Sequence, residues 1–472
     1  RNQSPAFGMS LLRGEWPLCL RPCPALSVAT AVRVQPSSAV VVEPHATTAT
    51  AILSQRLRCC TSTAVFACGV VAVRVGAACR RRGIVGSRPA TTRVRGTGVS
   101  QVLELFSGIG GMRVAFQRAV AGAWAGANDP EPRWRAMEVD EICCETYSEM
   151  FGSGYQKGVR AQKLWDYVSG HDEVWRCSID KLPNQAFEGA DVWLLSPPCQ
   201  PFTRTGKRLD LEDRRCAALL HLLEVLPRLQ HPPKALFLEN VQEFLGSKTH
   251  DRLRKALISA GFDVEERVVD PTELGFPNTR RRFYCSALSC PTGSSVSSSA
   301  PELRDRGDPN EAAPSVPVRP VGEFCAAEPP TNEDLRVPTA LLRRAAAGAW
   351  ELDVATASSL ATKTFTGSYG KVAYSEEGLS KAGPLLLTGA DGWSPAEEQR
   401  SRFGRVDAKD WSRLRYFAPC EVLALQGYPA GWKLPVRLPA RQQWRLIGNS
   451  VNVAVVANLL ENLLSRLRAQ ST

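Results

Sequence analysis

A single cysteine stands in the segment Ser196-Pro197-Pro198-Cys199-Gln200-Pro201, immediately after an apolar run that predicts a strand. The two prolines stiffen this loop, and the carboxyl end of a strand is where open α/β sheets bind ligands. A lone cysteine is usually a small core residue, but polar and proline-rich neighbours do not favour burial. The pattern therefore favours Cys199 as a nucleophile.

Two further groups of polar residues follow or precede predicted strands. Glu239 opens the triplet Glu239-Asn240-Val241 at the end of the next apolar run, and adjacent parallel strands end at the same edge of a sheet, so we expect its carboxylate beside the Cys199 loop. The segment Asn278-Thr279-Arg280-Arg281-Arg282 precedes another apolar run, and its alternate residues project to one side if it is extended. Such an arginine run is most often solvated surface charge, so a site role and a surface role both stay open.

A glycine-rich turn, Phe106-Ser107-Gly108-Ile109-Gly110-Gly111, separates a predicted strand from a predicted helix. Glycines there allow a tight turn and a close approach of the backbone to a nucleotide-like ligand. An acid about 20 residues after such a turn can hold a ribose hydroxyl, and Glu138 ends the second predicted strand. The turn alone also suits NAD, FAD or simple packing, and Glu138 alone suits a surface loop, but together they favour a cofactor site.

From Gln101 onward, short apolar runs alternate with amphipathic stretches, a pattern typical of βαβ units and a parallel sheet. We therefore predict a doubly wound α/β domain. The predicted strands are Val102–Phe106, Arg135–Val139, Val192–Ser196, Ala235–Glu239, Val264–Val269 and Arg282–Ala287. The predicted helices are Met112–Val120, Glu141–Met150, Arg215–Leu226 and Asp251–Ala260, with a last one over Val451–Leu467 that packs back on the sheet.

The composition, with 44% hydrophobic and 22% charged residues among 472, is that of a globular protein rather than a fibrous, disordered or membrane one. Residues 1–98 hold 13 Arg, no Lys and two acidic residues, so residues 99–472 carry 45 basic and 45 acidic side chains. The net charge of +11 is therefore no argument for a nucleic-acid site, which requires a local basic patch. The 15 Cys show no paired C-x-x-C spacing, and six of them lie in residues 1–98. We interpret the remainder as reduced thiols in an intracellular enzyme.

Residues 1–98 show no sustained periodicity and have the composition of an organelle transit segment. A disordered extension is the alternative. The apolar stretch from Ala64 to Val73 ends at Arg74, well short of the ~20 residues that a membrane span requires, so no membrane association is expected.

The order of five motifs resembles the cytosine-5 methyltransferases over roughly residues 100–288 and 337–466. The motifs are Phe-x-Gly-x-Gly, Pro-Pro-Cys-Gln, Glu-Asn-Val, Asn-x-Arg-x-Arg and Gly448-Asn449-Ser450. A closer resemblance is to the tRNA (cytosine-5) methyltransferases that modify the anticodon loop of aspartate tRNA. It rests on Leu103–Gly108, Cys199–Arg204, Pro277–Arg280, Arg415–Phe417 and Lys363–Gly370, where Thr364 replaces the cysteine of a Cys-Phe-Thr signature.

The resemblance implies a Rossmann-like, S-adenosylmethionine-dependent methyltransferase with a smaller target-recognition domain. We expect a catalytic domain over residues 99–288 and a linker or loop rich in Pro and Ser over 289–336. The target-recognition domain is expected over residues 337–440, and helices in residues 441–472 are expected to complete the catalytic domain.

The resemblance also implies roles for four catalytic residues. The Cys199 thiolate would attack C6 of cytosine, while Glu239 would hydrogen-bond N3 and the exocyclic amine. Arg282, with Arg280, would hold O2 and the Cys199 loop. C5 would then take the methyl group, a base would remove the C5 proton, and the enzyme would be eliminated. Because a free cysteine is largely protonated at neutral pH, the arginines are expected to favour the thiolate.

The implied cofactor pocket contains no metal. Phe106 would lie against the adenine, and Val139 and Ile179 would form its walls. Glu138 would bind the ribose hydroxyls, and Asp180 would accept from the adenine amine unless it is an exposed loop acid. The other expected cofactor contacts are Gly108, Ile109, Gly110, Gly111, Ser196, Asn449 and Ser450.

The expected substrate is an anticodon-loop cytosine of tRNA, of the cytosine-38 type in aspartate tRNA. A base in a duplex must be flipped at a cost of a few kcal/mol, whereas a loop base is already partly unstacked. DNA is the alternative substrate; a binding protein without turnover and a dinucleotide-dependent oxidoreductase are further alternatives. We expect a monomer in the cytoplasm or nucleus, and organelle targeting by residues 1–98 stays open.

Overall fold

The computed structural model describes residues 98–123, 131–156, 172–203, 209–290, 316–326, 335–347, 352–371, 383–389 and 408–471. All of these residues belong to one unit, Arg88–Thr472. The expectations for residues 1–97, for Arg204 and for most of the predicted linker lie outside the described residues.

A large sheet lies at the centre of the described part of the chain. Its strands are β1 (Gln101–Leu105), β2 (Arg133–Glu138), β3 (Gly154–Gln156), β4 (Glu173–Arg176), β5 (Val192–Leu195), β6 (Ala235–Val241), β7 (Phe262–Val269) and β8 (Arg282–Ser289). They are ordered β3-β4-β2-β1-β5-β6-β8-β7. The pairs from β3 to β6 are parallel, whereas β8 runs antiparallel to both β6 and β7. The prediction of an α/β fold is confirmed.

The helices flank this sheet or follow it. They are α1 (Gly111–Ala123), α2 (Glu141–Phe151), α3 (Ala217–Val225), α4 (Lys248–Ser259), α5 (Thr339–Ala346), α6 (Pro419–Leu425), α7 (Ala440–Gly448) and α8 (Val453–Ser471). The N-cap of α2 is Asp140, whose side chain accepts from the Cys143 amide at 3.1 Å. In the described ranges, no helix combines the length and apolarity needed to cross a membrane.

Each predicted strand overlaps an observed one, but β3 and β4 were not predicted. These two strands are short, and β4 contains only two apolar residues between Glu173 and Arg176, so neither forms a recognisable apolar run. The predicted strand Arg135–Val139 ends one residue too late, because Val139 lies beyond β2 and is 65% exposed. The predicted helix Arg215–Leu226 begins instead as a 3-10 turn, Arg214–Cys216.

Apolar side chains cover both faces of the sheet, which is why its central strands read as continuous apolar runs. On one face, Val102, Val192 and Phe237 pack with α1 and α8. On the other face, Leu103, Trp193 and other buried residues pack with α3 and α4. The helix α8 contacts α1, β6 and β8, so the end of the chain packs back on the first helix and on the large sheet.

A second sheet contains the strands β9 (Asp353–Ala355), β10 (Pro384–Leu387) and β11 (Leu414–Tyr416). Their order in the sheet is β11-β10-β9. Part of the predicted linker, residues 316–326, packs against the fold. It contains the 3-10 turn Val321–Phe324, in which Val321 is fully buried and its amide donates to Ser359 O at 2.9 Å.

Candidate active site

The Cys199 loop leaves the centre of the large sheet at the carboxyl end of β5. The Ser196 amide donates to Leu105 O at 3.3 Å, and the Asn240 side-chain amide donates to Pro197 O at 3.3 Å. The Phe202 amide then donates to Cys199 O at 3.0 Å, which closes a turn around the half-buried cysteine. The loop is thus attached to β1 and β6, and Cys199 lies at the carboxyl edge of the parallel strands.

Glu239 and Arg282 occupy the adjacent strands at the same edge. β6 pairs in parallel with β5, and Glu239 near its end is 8% exposed. Arg282 begins β8, opposite Val241, so its side chain lies on the same face as that of Glu239. The Arg282 Nε and a Glu239 carboxylate oxygen are 3.4 Å apart.

Electrostatics at this edge favour the protonated forms of both acids. Burial raises the pKa of the Cys199 thiol, and the Glu239 carboxylate raises it further, while Arg282 and Arg280 act in the opposite direction. Burial also raises the pKa of Glu239, again against the two arginines. The arginines therefore favour the thiolate as expected, but burial is the larger effect, and Glu239 retains a proton more readily than an exposed glutamate.

Arg280 makes a different set of contacts from Arg282. Its guanidinium donates to Phe365 O at 3.1 Å, to Gly448 O at 3.3 Å and to Ser450 O. The side chain is buried, and burial lowers its pKa to about 10. Arg280 therefore connects β8 to two distant segments, whereas Arg282 is the arginine beside Glu239.

The glycine-rich turn after β1 contains backbone conformations that L-residues rarely adopt. Gly110 has φ 82°, and a β-carbon there would overlap the ring of Phe151. At Gly111 a β-carbon would lie 2.6 Å from Ser450 Oγ. Phe106 itself has φ 59°, and its carbonyl accepts from Ser196 Oγ at 3.0 Å. Glycine is therefore required at two positions by close packing.

The Glu138 carboxylate closes this turn. One oxygen accepts from the Gly108 amide at 2.9 Å, and the other accepts from the Val139 and Asp140 amides at 2.7 and 2.9 Å. Burial raises the pKa of Glu138, while these backbone amides act against that rise. A carboxylate offers about four acceptor positions, so three amides leave it able to accept one more hydrogen bond, for example from a ribose hydroxyl.

A cleft of ≈ 870 Å³ lies beside the turn and the Cys199 loop. This volume is within the range of about 300–1,000 Å³ for small-molecule sites. Five predicted cofactor residues line it, namely Phe106, Glu138, Val139, Ile179 and Asp180. The other lining residues are Met137, Cys177, Ser178, Lys181, Pro198, Leu209, Glu212, Asp213, Arg214, Arg215, Ala217 and Ala218.

The remaining predicted cofactor residues lie outside this lining. Gly108, Ile109, Gly110, Gly111 and Ser196 belong to the turn and loop that support the cleft. Ser450 is buried, and its hydroxyl is 2.6 Å from the Tyr428 hydroxyl. Asn449 is exposed and lies next to Gly367. Asp180 is exposed as well, and it accepts from Ser178 Oγ.

Asp213 and Arg215 also line the cleft, although the sequence analysis did not single them out. The Arg215 guanidinium donates to the two Asp213 carboxylate oxygens at 2.9 and 2.6 Å. Arg215 also interacts electrostatically with Cys199. The charged run Glu212-Asp213-Arg214-Arg215 before an apolar helix was the available signal, but such a run is usually a solvated surface.

Comparison with known proteins agrees with this geometry. Residues 100–465 match the family described as C-5 cytosine-specific DNA methylase. A Homo sapiens protein named tRNA (cytosine(38)-C(5))-methyltransferase is 26% identical over 421 residues, which cover 77% of this chain and 98% of that protein. A Schizosaccharomyces pombe protein of the same name is 28% identical over 374 residues, covering 78% and 97%.

Solved structures show the same similarity. The crystal structure of the S. pombe Dnmt2 methyltransferase has a TM-score of 0.56 and 25% identity, and the match covers 78% of this chain and 99% of that one. A Spodoptera frugiperda DNMT2 mutant has a TM-score of 0.54 and 26% identity. The resemblance inferred from the motifs is confirmed: the chain is a methyltransferase and belongs to the C-5 cytosine-specific DNA methylase family.

Proposed function

We propose that this enzyme methylates C5 of an anticodon-loop cytosine in tRNA, of the cytosine-38 type, with S-adenosylmethionine as the methyl donor. The observation that carries the chemistry is the placement of Cys199, Glu239 and Arg282 at one edge of the sheet. The RNA substrate is supported by the relatives named as tRNA methyltransferases, which the chain matches over nearly their whole length.

The cleft suits the cofactor because it combines an apolar entrance with a partly satisfied carboxylate. Val139 is 65% exposed and offers apolar surface to an adenine, together with Phe106 and Ile179. Glu138 can accept one more hydrogen bond from a ribose. S-adenosylmethionine, when bound, supplies the electrophilic methyl group.

In the proposed reaction, Cys199 Sγ forms a bond to C6 of cytosine, and the proton lost by the thiol is balanced by one gained at ring N3. Glu239 is the carboxyl group that interacts with Cys199 and has its pKa raised by burial, so it can carry this proton. Arg282 holds the Glu239 carboxylate. Bond formation at C6 makes C5 nucleophilic, so C5 would take the methyl group and S-adenosylhomocysteine would leave. A base would then take the C5 proton, the C6–Sγ bond would break to release the thiolate, and N3 would return its proton through Glu239.

DNA is a second candidate substrate. A Dictyostelium discoideum protein named DNA (cytosine-5)-methyltransferase is 26% identical to this chain over 402 residues and is covered over 94% of its length. Its similarity to the chain is comparable with that of the tRNA enzymes, so the substrate must be decided by assay.

In the deciding experiment, the full chain is incubated with labelled S-adenosylmethionine and either aspartate tRNA or duplex DNA. The two reactions are run in parallel. Label that maps to an anticodon-loop cytosine, and that disappears in Cys199→Ala, supports the proposal. Cys290→Ala is the matched control, because Cys290 is half-buried at the end of β8 and lies outside the site. Label in DNA alone would show that DNA is the substrate and that the same chemistry acts on it.

The same variant tests the role of the cysteine. Cys199→Ala is expected to bind S-adenosylmethionine with nearly the affinity of the unchanged chain, measured by calorimetry, because Cys199 is absent from the cleft lining. A large loss of cofactor affinity would show that the loop supports the cofactor pocket rather than the chemistry.

A further inference from the structure

A dense set of hydrogen bonds joins the entry to β8 with a segment of the C-terminal half. These contacts lie between Pro277–Arg280 and Thr362–Phe365. The Thr279 amide donates to Thr362 O at 2.9 Å, and the Thr362 amide donates to Pro277 O at 2.8 Å. The Asn278 side-chain amide donates to Thr362 Oγ1 and to Lys363 O, both at 3.0 Å.

Thr364 adds a side-chain bond to this backbone pairing. Its Oγ1 donates to Thr279 O at 2.6 Å, and the next residue, Phe365, accepts at its carbonyl from Arg280. The two residues therefore hold Thr279 and Arg280 just before Arg282, the arginine beside Glu239. The replacement of the expected cysteine by Thr364 supplies a hydroxyl, which is a stronger donor than a thiol.

The segment that Thr364 fixes has one buried and one exposed side. Phe365 is buried and packs edge-to-face against Tyr369 and Phe417, with ring centroids 5.0 and 5.3 Å apart. Lys363, Thr366 and Ser368 are exposed. A cationic side chain and hydroxyls are groups that bind phosphate and sugar and fix the register of a nucleic acid.

We propose that Thr364 is a positioning residue for the RNA substrate: its hydroxyl holds the exposed groups of Lys363–Ser368 in register with Arg282 and Cys199. The inference rests on the proposed RNA substrate. The aromatic contacts of Phe365 retain the segment on the second sheet when the Thr364 bond is removed, so removal of the hydroxyl shifts the segment rather than unfolding it.

The test compares Thr364→Val with Thr364→Ser in the full chain. Loss of one neutral hydrogen bond is expected to raise the KM for tRNA about 3- to 10-fold. The dissociation constant for S-adenosylmethionine should be unchanged, and any decrease in Tm should be no larger than that of the control variant. Thr364→Ser should restore the KM. Thr388→Val is the matched control, because Thr388 Oγ1 makes a similar bond, to Arg413 O at 3.0 Å, on the second sheet.

A readout without substrate separates this inference from the proposed function. Hydrogen exchange at the Thr279 and Thr362 amides should be faster in Thr364→Val than in the unchanged chain, whichever nucleic acid is methylated. If the protein without a substitution does not methylate tRNA, the proposed substrate is refuted. Unchanged exchange in Thr364→Val, or a KM for tRNA equal to that of the unchanged chain, would refute the positioning role.

Discussion

The thiol of Cys199 lies among charges that act in opposite directions on its pKa. Burial raises the pKa of the thiol and Glu239 raises it further, while Arg282 and Arg280 stabilise the thiolate. The raised pKa lowers the fraction of thiolate relative to a free cysteine, which slows oxidation and alkylation of Cys199. Substitution of each charged residue therefore measures its effect on the pKa of Cys199.

Glu239→Gln is expected to lower the pKa of Cys199, because it removes the negative charge that opposes the thiolate. Alkylation of Cys199 by iodoacetamide at pH 8 should then be several-fold faster, because a lower pKa increases the fraction of reactive thiolate. Arg282→Gln should slow the same reaction, because it removes a positive charge. Peptide mass spectrometry of Cys199 between pH 7 and 10 measures both rates, and a slower reaction in Glu239→Gln would contradict this electrostatic account.

Gly110 offers a second test at a single residue. Gly110→Ala combines a positive φ with overlap between the new β-carbon and Phe151, so we expect a loss of at least about 3 kcal/mol in the free energy of unfolding, and weaker S-adenosylmethionine binding. Gly189→Ala is the control, because Gly189 has φ 74° but open space around it. It should cost only about 1–2 kcal/mol. Equal losses in urea titrations of the two variants would show that the Phe151 contact is unimportant.

Among the secondary-structure elements, β1 contains a buried glutamate close to the start of the glycine-rich turn. Glu104 is fully buried, and it accepts from the Tyr147 hydroxyl at 2.9 Å and from the Arg113 amide at 3.3 Å. Burial raises its pKa to about 7, although these hydrogen bonds and the Arg113 charge lower it. The stability of this strand is therefore coupled to pH near neutrality.

The folded state holds the Glu104 proton more tightly than the unfolded state, where the pKa is 4.5. Its contribution to the free energy of unfolding is therefore complete below about pH 4.5 and is lost as pH rises through about 7, a change of about 3 kcal/mol. Glu104→Gln should be close to the unchanged chain at pH 5 and more stable than it at pH 8. Urea unfolding at the two pH values measures this, and parallel pH profiles would exclude Glu104 as the cause.

The elements also show what the sequence could predict. Apolar runs and glycine turns predicted the central strands, and strand ends predicted that Cys199 and Glu239 share one edge. The antiparallel direction of β8 was not predictable, because apolar periodicity carries no information on strand direction. The contacts of Arg280 with Phe365 and Ser450 span 85 and 170 residues, and no local pattern encodes such a separation.

For the molecule as a whole, the uneven distribution of charge distinguishes two ways in which a nucleic acid could bind. Residues 1–98 contain 13 Arg and two acidic residues, whereas residues 99–472 have equal numbers of basic and acidic side chains. A nucleic acid attracted by net charge would therefore bind to the first region. Under the proposed function, residues 99–472 would recognise RNA through local groups, such as those proposed for Lys363–Ser368.

Removal of residues 1–97 is expected to leave methyl transfer intact and to weaken the binding of a tRNA that is not a substrate. Each phosphate that the shortened chain no longer neutralises should reduce the slope of log K against log salt by about 0.7–0.9. Fluorescence anisotropy between 50 and 200 mM KCl measures this slope, and a full chain with the 13 Arg of residues 1–98 changed to Gln separates charge from chain length. The shortened chain must first show a single thermal unfolding transition. If the slope is then the same as that of the full chain, residues 98–472 must carry a basic patch of their own despite their balanced charge.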